Sequence, residues 1–576
     1  MSVSLIRISS GITYMVIIGV QVPIQVATIQ RWEELGDQLE KVTTAYDKAC
    51  RSLEPPVYDH SHDVNELVPK IDGSLQRLDN LVLCLNSARS SLARTRNQLH
   101  APILFLPDDI TSIIFKFYTT INAVETEHPN QCTVRDLVTN QYRRLHVLIG
   151  VCSAWRNLVL SDGKFWSVVP IIPQRSSRYM STAAQLSLQR SAGCSLHLVV
   201  ELFMSRPDIS TFFLRMLNCN GPRFRSINLK GDCGLVIMQA INLLSSTTNG
   251  QKSLDDLSIC YHDPQVTDPI RLSPTSDWEQ AVFNQMLGSL RILRLRGAIF
   301  DARGISFLSL TYLRIQHIRL ESHAKIEELL WVLSSSSQIR MLELITVFTC
   351  SEVDVPPQRN RFPVPLPALR RLYLEDLFQD MLNFVLSSIE PGPHRVTLHL
   401  TSNCLWIYNP EEIVIVGMQG LRLREFNIDT LVLTTRFGEA IFDGARKLLE
   451  LMLTVTTLLV DGYELSSSYL NQLIRITDPA YSFPNLTKLH ISRSMISPIN
   501  LDLLKAVVTS HSIHDLGLGL CVNFIEDGRI SRHCLEKPHE RLDAIRNWFL
   551  NATTVTWLAH SFSARPPAPE FESDIW

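Results

Sequence analysis

The chain has 576 residues, of which 45% are hydrophobic and 19% charged, with a formal net charge of -3. That length exceeds one compact core and implies two to four domains or one extended repeat array. The composition excludes wholesale disorder, and the charge gives no electrostatic basis for binding nucleic acid.

At the N-terminus, Ile12 to Ile29 is an uncharged run near the minimum length of a membrane span. Gln21, Pro23 and Gln25 interrupt it, so residues 1–30 are expected to form an apolar N-terminal segment rather than a membrane anchor. Residues 31–100 form a helical arm. Arg31 to Leu53 is charged and helix-favouring and ends at Pro55 and Pro56. Beyond it, Ile71, Leu75, Leu78, Val82, Leu85, Leu92 and Leu99 alternate steps of four and three, with Arg89 and Arg96 in the two remaining seam positions. Such a heptad stripe takes a helical partner: an antiparallel hairpin with the 31–53 helix is the simplest, and a homodimer is the alternative.

Residues 101–170 read as a helical domain. Pro107 suits a first helical turn, and Asp108 and Asp109 lie at the positive end of the helix dipole, where such carboxylates act as dipole partners rather than acid/base catalysts. Ile110, Ile113, Ile114, Phe117 and Tyr118 recur at helical spacing. After a polar insertion from about Thr119 to Arg144, a second helix is predicted, faced by Leu145, Leu148, Val151, Cys152, Trp155 and Leu158 or Val159, with Phe165 and Trp166 beyond a turn.

From Phe224 the chain repeats a strand-like L-x-x-L-x-L unit. Its copies are FRSINL (224–229), LDDLSI (254–259), LRILRL (290–295), LTYLRI (310–315), IRMLEL (339–344), LRRLYL (369–374), LREFNI (423–428), VTTLLV (455–460), LTKLHI (486–491) and IHDLGL (513–518). Most recur every 26 to 36 residues with helix-like runs between several of them, such as Ile326, Leu329, Leu330 and Leu333. One strand and one helix per repeat predicts an irregular leucine-rich solenoid over residues 171–560. The tail 561–576 is Pro-rich and acidic and is expected to be disordered.

Twelve cysteines are scattered without a C-x-x-C pair, which predicts reduced, mostly buried thiols in a cytoplasmic or nuclear protein. Neither His60 with His62 nor His490 with His511 and His514 has the ligand density of a metal site. No G-x-S-x-G, P-loop or dinucleotide motif occurs, so neither cofactor nor enzymatic activity is expected.

The strings LPDDITSIIFKFY and VCSAWRNLVLSDGKFW resemble the F-box, matching it at Leu106, Pro107, Ile110, Ile114, Val151, Cys152, Trp155, Arg156 and Trp166. The chain is especially similar to fungal F-box-like proteins, in which a short heptad arm precedes the motif and irregular leucine-rich repeats follow. Asp109 stands where glutamate is usual, and the insertion between the helices is longer than in a compact F-box. The resemblance implies an α/β chain with a three-helix F-box ahead of the repeats. It also implies docking on a Skp-type adaptor, which joins it to a cullin-RING ubiquitin ligase, while the repeats hold a protein substrate. Leu106, Pro107, Ile110, Ile114, Val151, Cys152, Trp155 and Trp166 are the expected adaptor contacts, Leu106 and Trp155 as anchors.

Overall fold

The computed structural model describes residues 2–7, 13–18, 26–52, 64–100, 103, 106–120, 134–173, 178–203, 206–247, 254–262, 268–274, 276–335, 338–349, 363–407, 414–415, 421–435, 445–475, 483–526 and 529–558. The predicted tail, His60 and His62, and residues 121–133 of the insertion lie outside the described residues. The protein is mixed α/β and divides into two compact units, residues 1–115 and 116–576.

In the first unit, strands β1 (Ser2–Arg7) and β2 (Thr13–Ile18) pair antiparallel, so the densest part of the apolar N-terminal run is strand. Among the described residues, no helix is long and apolar enough to cross a membrane. Helix α1 spans Val26–Arg51 and α2 spans Val64–His100. Both carry apolar stripes, and neither stripe is buried: Trp32, Leu35, Leu39, Val42 and Tyr46 on α1 are exposed, as are Ile71, Leu75, Val82, Leu85 and Leu92 on α2. The expected hairpin would have covered both. A heptad seam requires a helical partner but does not require that the partner lie in the same chain.

The second unit is built on one large sheet. Its strands of four or more residues, in chain order, are β3 (Val168–Ile171), β4 (Leu196–Leu202), β5 (Phe224–Gly231), β6 (Asp256–Tyr261), β7 (Ile292–Arg296), β8 (Tyr312–Leu320), β9 (Met341–Thr349), β10 (Arg371–Glu375), β11 (Arg395–Leu400), β12 (Asn427–Thr434), β13 (Thr457–Asp461), β14 (Lys488–Ile496), β15 (Asp515–Glu526), β16 (Arg529–Cys534) and β17 (Thr554–Trp557). From β3 to β15, chain neighbours are sheet neighbours and every pair is parallel; β16 then adds antiparallel to β15, and β17 pairs parallel with β15. Parallel neighbours need crossovers, and helices supply many of them: α6 (Arg178–Arg190), α7 (Pro207–Asn220), α8 (Gly234–Thr247), α9 (Asp277–Ser289), α10 (His323–Ser334), α11 (Gln379–Ser388), α12 (Ala445–Glu450), α13 (Ser467–Leu473) and α14 (Leu501–Ser510).

The unit's core lies between this sheet and its helices, and strand periodicity places it there. The second and third apolar positions of each repeat unit face the same way, so Leu293 and Leu295 pack beside Leu313, Ile315, Leu342, Leu344, Leu372 and Leu374. Ile326, Leu329, Leu330 and Leu333 of α10 close the same layer. Each fully buried leucine or isoleucine contributes about 1.5–3 kcal/mol. The crossover helices have explicit start signals. Ser276 and Glu279 form a reciprocal capping box on α9, satisfying two amide donors that the helix cannot pair internally.

Near the C-terminal end of the sheet, His511 is buried. Its Nδ1 accepts from the Leu486 amide at 3.3 Å, and Nε2 lies 2.9 Å from the Leu473 carbonyl. Only a neutral ring protonated at Nε2 serves both partners. Burial holds its pKa below the ordinary 6.5, helped by Arg475 and opposed by the Leu473 carbonyl. The unfolded chain therefore binds the proton more readily than the folded one, and the stability from neutral His511 is present above 6.5 and lost as pH falls. The urea midpoint is expected to drop on acidification through that value, and His511→Gln is expected to flatten the drop. An unchanged pH slope in the variant would show that other groups cause it.

Candidate protein-docking surface and the sheet face

Helix α3 (Asp108–Thr120) follows Leu106 and Pro107 directly, and the Pro107 carbonyl accepts the first helical hydrogen bond from Thr111 at 3.0 Å. Asp108 and Asp109 occupy the first turn, as the dipole argument requires. The distribution of burial along the helix is inverted. Ile110, Ile113, Ile114, Phe117 and Tyr118 form a stripe at steps of three and four and are exposed, Phe117 to 63%. Thr111, Ser112, Phe115 and Thr119, on the other face, are buried. A helix that turns its threonines inward and its isoleucines outward presents a contiguous apolar surface of the kind that marks an interaction site.

Within the second unit, Lys116 and Tyr118 hold the end of α3 in place. Lys116 Nζ pairs with Asp162 at 3.0 Å and lies 5.5 Å from the centre of the Phe165 ring. Arg144 donates to the Tyr118 carbonyl at 2.8 Å and stacks over its ring. Here the sequence-based expectation needs correction. The predicted second helix is two helices, α4 (Val134–Val151) and α5 (Ser153–Ser161), so half of the supposed polar insertion is helical. Cys152 is extended between them, with φ -158° and ψ 169°. The break is stabilised by Arg156, whose Nε donates to the Ile149 carbonyl at 3.1 Å and satisfies one acceptor at the end of α4.

Of the expected contacts, Pro107, Ile110, Ile114 and Val151 are exposed, and Leu106, Cys152 and Trp155 are half-buried. Trp166 is not available: it is 2% exposed, donates through Nε1 to the Val159 carbonyl at 2.8 Å, packs edge-on against Tyr142 and is covered by Arg190. An indole buried with its donor satisfied is a packing residue. Helix α4 itself seats on the sheet face opposite the crossover helices, where Val138 packs with Val168, Ile172 and Val199. Tyr142 donates to the Val168 carbonyl at 3.1 Å and also bonds Ser187; burial pushes its hydroxyl up to about 12.

Along that same sheet face run polar side chains that the repeat pattern leaves unassigned. Arg314 is fully buried and donates to Glu343 at 2.6 Å, and Tyr312 donates to the same carboxylate at 3.0 Å. Arg294 reaches Asp256 and Ser258, both at 3.1 Å. Tyr373 donates to Glu375 at 2.7 Å, and His399 lies 3.1 Å from Glu375 and 2.8 Å from Thr434. Apart from Tyr373 with Glu375, these groups are paired to one another across adjacent strands, which ties the strands together on this face. At the edge where the strands begin, Arg340, Arg370 and Arg395 line an open cavity of about 540 Å³ with Gln338 and Pro367. Their cationic ends suit a carboxylate or phosphate.

Among the described residues, no group of three or more His, Cys, Asp or Glu side chains could hold a metal ion. Cys521 and Cys534 face each other across β15 and β16 with sulfurs 2.8 Å apart. Their separation in sequence hides this pairing. No family model matches the sequence, and no curated protein matches it.

Proposed function

We propose that this chain is the substrate-recognition subunit of an SCF-type E3 ubiquitin ligase, acting in the cytoplasm or nucleus. In this reading α3, α4 and α5 form an F-box-like domain that docks on a Skp-type adaptor and through it on the cullin and RING subunits. The parallel sheet and its crossover helices are an irregular leucine-rich solenoid that holds a target protein. The observation that carries the reading is the outward apolar stripe Ile110, Ile113, Ile114, Phe117 and Tyr118, on a helix introduced by Leu106 and Pro107. Amphipathic helices with an uncovered face bind by laying that face in a partner's groove. The half-buried Trp155 and exposed Val151 supply the second helix pair's share of the F-box pattern. The chain performs no chemistry of its own here; it raises the effective concentration of the target near a ubiquitin-charged enzyme. On the solenoid, Arg340, Arg370 and Arg395 favour an acidic target segment.

Co-purification with a Skp-type adaptor tests the proposal. The wild-type chain is expected to retain the adaptor, and Leu106→Ala with Pro107→Ala is expected to weaken retention at least roughly tenfold, the effect of losing one interface anchor. Ile110→Asp with Ile114→Asp, on an exposed face, is expected to abolish it while leaving the circular dichroism spectrum unchanged. No retention by the wild type, or full retention by both variants, would leave an interaction scaffold that never meets the adaptor.

A further inference from the structure

We infer that α2 (Val64–His100) is the dimerisation element of this protein, pairing antiparallel with α2 of a second copy. The inference is independent of the ubiquitin-ligase reading. It starts from the seam. In heptad notation the a positions are Val68, Leu75, Val82, Arg89 and Arg96, and the d positions are Ile71, Leu78, Leu85, Leu92 and Leu99. Four leucines seven residues apart form an uninterrupted d row, and α2 is a single helix of 37 residues throughout. Val68, Ile71, Leu75, Val82, Leu85 and Leu92 are each 40% or more exposed, so the seam is uncovered within the chain.

The two seam arginines identify the occupant. In a parallel, in-register pair, a positions meet a positions, and Arg89 and Arg96 would each face their own copies. In an antiparallel pair, a positions meet d positions. One register matches all ten seam residues: Val68 opposite Leu99, Ile71 opposite Arg96, Leu75 opposite Leu92, Leu78 opposite Arg89, and Val82 opposite Leu85. In that register the arginine stems lie along Ile71 and Leu78 of the second copy. Their guanidinium groups meet the next residues, Asp72 and Asp79, which occupy the flanking e positions on the same side of the seam. Two ion pairs per chain result, four per dimer. Arg89, Arg96, Asp72 and Asp79 are all exposed and make no ion pair with any described residue of their own chain.

Helix α1 (Val26–Arg51) is the competing occupant, since its own stripe runs through Trp32, Leu35, Leu39, Val42 and Tyr46. It is excluded on charge. Its residues in the corresponding flanking positions are Gly36, Thr43 and Cys50, none of which neutralises an arginine. A second α2 supplies an aspartate at both places.

Light scattering of the full chain on a sizing column tests the inference. The expected mass is twice 65.4 kDa. Arg89→Asp with Arg96→Asp is expected to weaken association at least roughly tenfold, because four attractions become repulsions. Adding Asp72→Arg with Asp79→Arg to that variant is expected to restore the dimer, since the pairs are then merely exchanged. Restoration also shows that the variants fold. A monomeric wild type would overturn the inference, and a quadruple variant that stays monomeric would overturn the antiparallel register.

Discussion

Replacing Arg314 by alanine is expected to cost about 3–5 kcal/mol, the range for breaking a buried ion pair from one side. The reason lies in what remains. Glu343 has a side chain 8% exposed, and Arg314 has one fully buried. With Arg314 gone, the Glu343 carboxylate keeps only the Tyr312 hydroxyl among its described hydrogen-bond partners. An ionised carboxylate in that setting must either stay charged without compensation or take up a proton, and both options destabilise the fold. Removing both charges together is a different experiment. Arg314→Met with Glu343→Leu keeps approximate volume and removes both charges of the pair, so it is expected to fall within about 1–2 kcal/mol of the wild type. Urea unfolding of Arg314→Met, of Glu343→Leu and of the double variant gives the coupling between the sites directly. If the double variant is as unstable as Arg314→Ala, the pair contributes by packing and the electrostatic account fails.

That pair also marks where the sequence stopped being legible. The inward positions of the repeat were readable because apolar residues recur at a fixed offset: each of the ten L-x-x-L-x-L units contains or runs into a strand of the sheet, and their last two apolar positions are buried. The outward positions carry no such period. Whether an arginine between two leucines is solvated or buried depends on the residue opposite it in the next strand, some 30 positions away, and Arg314 opposite Glu343 cannot be inferred from either repeat alone. The same logic explains the strands that the pattern missed. In Arg395–Leu400 the first leucine of the unit is replaced by Pro393, yet Val396 and Leu398 fill the same core layer. In Leu196–Leu202 the three apolar positions are Leu196, Leu198 and Val200, opposite Phe224, Ile227 and Leu229, and a register shift after Leu196 leaves one residue too few between the first two for the pattern to match.

At the candidate docking surface, periodicity identified the apolar stripe of α3 but not its direction. Ile110 and Ile114 have the spacing of core residues, and only the burial of Thr111, Ser112 and Thr119 on the other face reveals that the stripe points outward. The break between α4 and α5 was equally hidden, because residues on both sides of Cys152 keep a helical spacing of apolar groups. Trp166 illustrates the converse. A tryptophan at the end of a docking motif and a tryptophan in a core look alike in sequence, and the hydrogen bond to Val159 assigns it to the core.

Gly297→Ala is expected to cost about 2–5 kcal/mol, and the neighbouring strands show why the contact around it, more than its backbone angle, sets that value. Gly297 leaves β7 with φ +61°. The same step recurs one strand at a time: Arg296, Gln316, Ile345 and Glu375 are in register, and the residues after the last three, His317, Thr346 and Asp376, have φ of 50°, 49° and 54°. Three side chains, one of them β-branched, therefore occupy the left-handed region, within β8 and β9 and just past the end of β10, each at a cost of about 1–2 kcal/mol. Asp376 is held there by Thr346 at 3.1 Å, Asn403 at 2.9 Å and Thr401. At Gly297 a methyl group meets an additional obstacle, since its carbon would lie 2.3 Å from the Tyr261 carbonyl oxygen, on backbone fixed in the sheet. Gly193 is the matched control, with φ +79° and no heavy atom within 4 Å of an added carbon. Gly193→Ala is expected to lose only the backbone contribution, about 1–2 kcal/mol. Thermal unfolding of the two variants separates the contributions: Gly297→Ala must melt at the lower temperature, and equal melting temperatures would mean that the sheet yields at Tyr261 and that the left-handed turn alone fixes glycine there.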